Sequence, residues 1–152
     1  MSTKIVNIKG YAKNNEQFVV KTKNYNVRIN TNVNHPELDA PSPIEYILAG
    51  YAGCINAVGN LVAKELNINL KSLQVSISGE INVDKFLGNP TAERAGFKSI
   101  EVVIKPDSET TNDELQNWLS IVESRCPVYD NLVNHTPIKV SLVNEYQTSE
   151  VN

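Results

Sequence analysis

The segment SPIEYILAGYAGCINAVGNLVAKEL, residues 42–66, opens with a complete helix start signal. Ser42 is placed to accept from the backbone N–H three residues on, and Glu45 to reach back to the Ser42 N–H. Pro43 takes the first helical position, where no N–H is needed. Apolar residues then recur at helical spacing at Ile44, Ile47, Leu48, Tyr51, Ile55, Val58, Val62 and Leu66. The pattern predicts one helix over 43–66, about 36 Å long at 1.5 Å per residue, which is long for a chain of 152 residues. Its middle turns are thin, carrying Ala49, Gly50, Ala52, Gly53, Ala57 and Gly59. A glycine costs about 1 kcal/mol in a helix interior, so three of them imply a neighbour packed very close. A long, thin, apolar helix of this kind belongs at the centre of a fold, crossing a partner's copy.

Working outward, "KIVNI" and "EQFVVKTKNYNVRIN" alternate apolar and polar residues as strands do, with "KNN" as the turn between them. Residues 31–41 read as a polar, proline-closed loop. After the helix, "LQVSISGEINV" has Leu73, Val75 and Ile77 on one face, residues 85–97 form a loop, and "KSIEVVIKP" is a strand ending before Pro106. Thr111-Asn112-Asp113-Glu114 is a second capping box. It starts a helix whose apolar face runs through Leu115, Trp118, Leu119 and Val122 and reaches Cys126, with Pro127 ending or kinking it. "PIKVSLVNEY" is the last strand, and the tail from Gln147 is polar. The order lacks regular βαβ alternation, which favours an α+β fold with a mainly antiparallel sheet in a single domain, 1–152.

Composition narrows the function. Hydrophobic residues at 41% and charged residues at 20% are ordinary for a globular chain. A net charge of -3 argues against a nucleic-acid partner, whose phosphates call for clustered Lys and Arg. The N-terminus lacks the apolar core of a signal peptide. The most apolar stretch, 43–63, contains Glu45, Asn56 and Asn60, which argues against a membrane span. Two cysteines do not make a disulfide framework, and the whole points to a reduced, cytoplasmic protein. GxGxxG, P-loop and CxxC motifs are absent, and His35 and His135 read as solvated loop residues rather than metal ligands.

The chemistry that remains is the thiol pair, Cys54 and Cys126. Cysteine is among the most buried residue types, and two structural cysteines are the commoner case in such a chain. In the functional alternative, Cys54 attacks an oxidant and becomes a sulfenic acid, and Cys126 condenses with it to a disulfide. That requires the two to meet in space although they are 72 positions apart. Cys54 stands about twelve residues into its helix, beyond reach of the N-terminal dipole. A cation must therefore lower its pKa from elsewhere. Only Arg28, Arg94 and Arg125 are available as arginines. Glu45 completes the capping box, and nine residues separate it from Cys54, half a turn out of phase.

"PSPIEYILAGYAGCINAVGNLVAKELNINL" resembles the central helix of the osmotically inducible protein C (OsmC) and organic hydroperoxide resistance (Ohr) superfamily, with its Pro-x-Glu segment, small apolar run and cysteine. "ESRCPVYDNLVNHTPIKVSL" is similar to that family's second cysteine segment, and "GEINVDKFLG…ERAGFKSIEVVIK" to the middle strands of an OsmC-like subgroup. The resemblance spans roughly residues 40–143. It implies an α+β fold of mainly antiparallel sheets around a long central helix, intertwined as a homodimer with two sites at the interface. It further implies a thiol-dependent peroxidase acting on organic hydroperoxides, and on hydrogen peroxide as a second substrate. Cys54 is then peroxidatic and Cys126 resolving, with no bound cofactor or metal. A dithiol reductant recycles the disulfide, a lipoylated protein in the hydroperoxide-resistance branch. That branch carries an arginine in a Gly-Arg-Asp-Gly turn near the N-terminus, paired with a glutamate ten residues before the cysteine. Here the turn reads "AKNN" around Lys13, and Ile44 stands ten before Cys54 with Glu45 one place later. Glu45 and, as a substitute cation, Arg94 complete the candidate site, with Arg28 as the second choice of cation. Two other functions fit the same fold: a non-enzymatic binder of a small apolar ligand at the dimer groove, and a cysteine redox sensor.

Overall fold

The computed structural model describes residues 2–12, 17–32 and 40–145. The predicted turn at 13–15, Lys13, His35 and the tail from Gln147 lie outside the described residues. The chain divides into two compact units, Met1–Ile47 with Pro137–Asn152, and Leu48–Thr136.

In the first unit, β1 (Lys9–Ala12), β2 (Gln17–Lys21) and β3 (Asn26–Asn30) form an antiparallel sheet in the order β1-β2-β3. The predicted second strand is thus two. The break falls at residues 22–25, where Thr22 N–H donates to Tyr25 O at 2.8 Å and Tyr25 N–H returns to Thr22 Oγ1 at 3.1 Å. Two segments predicted as strands take no regular structure: 4–8 and 137–145. A strand persists only where a neighbour takes up its N–H and C=O groups. Among the described residues neither segment has a ladder partner, and their apolar side chains stand in the open. Ile138, Val140 and Leu142, at alternate positions, are 82%, 87% and 99% exposed.

α1 runs Pro43–Glu65, within one residue of the expected span. Its start is the capping box read from sequence: Glu45 N–H donates to Ser42 Oγ at 3.3 Å, and Ser42 N–H to Glu45 Oε2 at 2.7 Å. By length and composition alone α1 is apolar enough to cross a membrane. In this fold its stripe of Tyr51, Ile55, Gly59, Val62 and Ala63 is instead buried against protein.

The second unit holds the rest of α1, the hairpin β4 (Ser72–Ile81) and β5 (Phe97–Asp107), and α2 (Asp84–Leu87), α3 (Asn112–Arg125) and α4 (Pro127–Val133). The hairpin pairs Val75 with Ile104 and Ile77 with Val102. Period-2 alternation turns Leu73, Val75 and Ile77 inward and leaves Gln74, Ser76 and Ser78 exposed. β5 continues through Pro106, which pairs with Leu73, rather than stopping before it. In a two-stranded sheet both strands are edges, where a missing N–H is tolerated. The predicted 85–97 loop also contains most of the short helix α2.

α1 is buried in two places along this unit. Toward its C-terminal end, Val62 and Ala63 pack with Trp118 and Val122 of α3. Gly59 explains the closeness there, because a Cβ at that position would lie 2.9 Å from the Trp118 ring. Trp118 Nε1–H also donates to the Gly59 carbonyl at 2.8 Å. One turn or two earlier, Tyr51 and Ile55 pack with Cys126 over the inner face of the hairpin. Gly50 and Gly53 lie on the outer face, where an added Cβ would meet nothing within 4 Å among the described residues.

Candidate active site: a buried thiol pair

The two cysteines meet. Cys126 S–H donates to Cys54 Sγ at 3.0 Å, and neither is in a disulfide. Their elements deliver them differently. Cys54 sits in mid-helix on α1, half-buried, one turn after Tyr51. Cys126 is buried on the side of α3 that the spacing from Leu115 suggested, lining the same cavity as Leu119 and Val122. It is the junction residue that ends α3 and caps the start of α4, with extended backbone (φ -78°, ψ 111°). Pro127 is the reason, since it cannot continue α3 yet suits the first position of a new helix. As N-cap, Cys126 accepts at Sγ from Tyr129 N–H at 3.5 Å. It is 2% exposed.

Burial pushes the Cys126 thiol up, and its hydrogen bond to Cys54 adds to that shift. The N–H groups of Tyr129 and Val128 pull the other way, because they favour a thiolate. Tyr51 and Tyr129 stack at 6.2 Å between centroids beside the pair. Burial likewise pushes the Tyr51 hydroxyl up, with smaller contributions from Cys126 and Glu123. A cavity of about 130 Å³ opens on the Cys126 side, walled by Tyr51, Ile55, Val102, Leu119, Val122 and Tyr129, with Glu123 also on its lining. Cys54 does not line it.

The other candidate residues are placed as follows. Arg94 is exposed in the loop before β5, with Nη2 3.0 Å from the Cβ position of Gly96. It makes no ion pair among the described residues. Arg125, next to Cys126 in sequence, is committed to Glu65 through Nη1–Oε2 at 2.5 Å and Nη2–Oε1 at 3.2 Å. Arg28 lies on β3, and its carbonyl accepts from Tyr46 Oη at 2.6 Å. Glu45 is exposed, and its carboxylate is engaged by Ser42, whose N–H holds it below the usual carboxylate range. His135 is exposed in the segment after α4. Among the described residues no group of three His, Cys, Asp or Glu side chains is arranged to hold a metal.

Sequence reading missed the two backbone donors at Cys126 and the tyrosine stack. The signal for the donors was present: Cys-Pro before an apolar run is an N-cap followed by N1. Tyr51 was legible only as one member of the apolar stripe.

Comparison with known proteins identifies the family. The sequence profile of the OsmC-like protein family matches residues 35–141. The chain is 27% identical over 103 residues to a hydroperoxide reductase of Mycoplasma pneumoniae, covering 66% of this chain and 67% of that protein. It is 25% identical over 101 residues to a hydroperoxide reductase of Mycoplasma genitalium, covering 66% and 68%. Its fold is similar to the crystal structure of an OsmC-like protein from Mycoplasma pneumoniae, with a TM-score of 0.77 at 20% identity over 87% of this chain and 89% of that one. It is also similar to an organic hydroperoxide resistance protein from Elizabethkingia anophelis, with a TM-score of 0.62 at 19% identity over 85% and 88%. With an α+β fold of antiparallel sheets and one long helix, and a family profile that spans well over half its length, this chain belongs to the OsmC-like protein family.

Proposed function

We propose that this protein is a thiol-dependent peroxidase that reduces organic hydroperoxides, with hydrogen peroxide as a second substrate. The observation that carries the reading is the 3.0 Å approach of Cys54 and Cys126. The names of the Mycoplasma relatives support the substrate class. Cys54 attacks as thiolate on the terminal peroxide oxygen, the O–O bond breaks, and the alkoxide leaves and is protonated to the alcohol. The resulting sulfenic acid at Cys54 is attacked by the Cys126 sulfur, water departs, and the disulfide closes. A disulfide S–S bond is about 2.05 Å, so closure asks for a shift of roughly 1 Å. An external dithiol, such as a lipoylated protein, returns both thiols. No bound cofactor or metal enters the cycle.

The proposed working unit is a homodimer in the cytoplasm. Segments 4–8 and 137–145, without a ladder partner among the described residues and with exposed apolar side chains, and the face of α1 at Gly50 and Gly53 support a second copy. Arg94, exposed and without an ion pair among the described residues, is the cation proposed to favour the Cys54 thiolate, acting across that dimer. Glu45 is proposed as its orienting carboxylate.

The test is consumption of tert-butyl hydroperoxide with dithiothreitol or dihydrolipoamide as reductant. Catalytic turnover lost in Cys54→Ser is the expected result. An absence of turnover in the wild type defeats the proposal. Stoichiometric oxidation without recycling identifies a redox sensor instead.

A further inference from the structure

The cavity beside the thiol pair meets one sulfur and not the other: Cys126 lines it and Cys54 does not. Its walls are largely apolar, with Ile55, Val102, Leu119 and Val122 among them, and all belong to the second unit. Glu123, near the end of α3, is exposed and also on the lining, so the cavity reaches the surface beside a carboxylate. Its volume is about 130 Å³, close to that of an apolar protein cavity that takes up benzene, about 150 Å³. A thiol on a short carbon chain therefore fits. Cys54 has no comparable approach. It stands one turn after Gly50 on α1, whose face at Gly50 and Gly53 is the one proposed to pack on a second copy. Exchange chemistry favours the same sulfur. Attack at one end of a disulfide expels the other, and the sulfur of lower pKa leaves faster. Burial pushes the Cys126 thiol up in spite of the Tyr129 N–H, which makes Cys126 a poor leaving group. Cys54 is the sulfur that the peroxide step needs as a thiolate.

We infer that this cavity is the entry for the reductant, whose thiolate attacks Cys126 Sγ and expels Cys54. The external sulfur forms a bond to Cys126 Sγ and the Cys54–Cys126 bond breaks. Its electron pair stays on Cys54, which is released as the thiolate that meets the next peroxide. The reductant's second thiolate then attacks its own first sulfur and closes the reductant's disulfide. The electron pair of the bond to Cys126 stays on Cys126, which takes a proton from water and returns to the form that burial favours. Two electrons have passed from the dithiol to the protein. The Glu123 carboxylate at the mouth repels an anionic arm, so the cavity selects thiols carried on a neutral or cationic chain. The inference rests on the thiol pair as the redox centre, and it gives Glu123 a part in the choice of reductant.

The experiment prepares the disulfide with diamide, so that it does not depend on peroxide chemistry. The oxidised protein is exposed briefly to excess cysteamine, quenched in acid, and its free thiols are then labelled with N-ethylmaleimide. Peptide mass spectrometry should place cysteamine on Cys126 and the label on Cys54, at least about tenfold over the reverse. Cysteamine on Cys54, or an even split, overturns the assignment. The route is tested by charge at the mouth, with a surface substitution that leaves the packed walls in place. Cysteamine carries a positive charge and 2-mercaptoethanesulfonate a negative one on chains of equal length. Glu123→Lys should lower the ratio of their rates of disulfide reduction, cysteamine over sulfonate, by at least about fivefold at low salt. A ratio equal to that of the wild type removes this cavity as the entry. Failure of the peroxidase reading would instead appear as absent peroxide turnover with the cysteamine pattern intact.

Discussion

α1 is buried at two places that differ in kind. Around Gly59 and Val62 the packing is closed: Trp118 fills the space that a glycine leaves and ties its indole N–H to the helix backbone. Around Tyr51 and Ile55 the helix meets a polarizable thiol pair, two stacked tyrosines and a cavity. The first contact fixes α3 against α1. The second uses that fixed geometry, because α3 ends at Arg125 and hands Cys126 to Cys54. Stability and chemistry are therefore separable along one helix, and substitutions should show it.

The largest effect belongs to the chemical end. Cys54→Ser should reduce hydroperoxide turnover to background while leaving thermal unfolding nearly unchanged, as a steady-state assay and a melting curve would show together. At the packed end, Trp118→Ala should cost about 3–5 kcal/mol in chemical denaturation, the range for removing a buried large aromatic. It also removes the indole N–H that the Gly59 carbonyl accepts in addition to its helical bond. Equal losses of activity and stability in both variants would dissolve the distinction.

The glycines sharpen it further. Gly59→Ala drives a methyl into the Trp118 ring and should destabilise by about 1–3 kcal/mol. Gly53→Ala meets open space in one chain, and helix propensity alone favours it by up to about 1 kcal/mol. If the outer face of α1 packs on a second copy, the same methyl weakens the dimer. Sedimentation equilibrium on Gly53→Ala, with the wild type alongside, reads that out directly.

The smallest effects come from charge. Arg125 and Glu65 are both more than a third exposed. Arg125→Met should therefore cost no more than about 1 kcal/mol, and less in high salt. The Cys126 thiol is raised in the native state, so the fold favours its protonated form. That contribution is whole below the ordinary thiol range. It is lost as pH rises through the higher native value. Alkaline unfolding of the reduced protein should lose this slope in Cys126→Ser.

Much of this was legible in the residues. Ser42, Pro43 and Glu45 set the start of α1, and the Trp118–Val122 spacing set the buried face of α3, because capping and periodicity are local properties. Cys126 follows the same rule to the end of α3: its spacing from Leu115 marks the buried side and Pro127 marks the stop, while its role as the N-cap of α4 went unread. The strand patterns at 4–8 and 137–145 record apolar alternation, but a ladder needs a neighbour, which the described residues of one chain do not provide. The meeting of Cys54 with Cys126 is a long-range contact that no local pattern encodes; two apolar helix faces allowed it and the family resemblance implied it.

The most direct test is a single turnover. Fully reduced protein is mixed with one equivalent of tert-butyl hydroperoxide without reductant, quenched, and mapped by peptide mass spectrometry. One Cys54–Cys126 disulfide should form within each chain for each hydroperoxide consumed, with Cys54→Ser consuming none. Peroxide consumed with both thiols still free, or a disulfide joining other partners, would contradict the account.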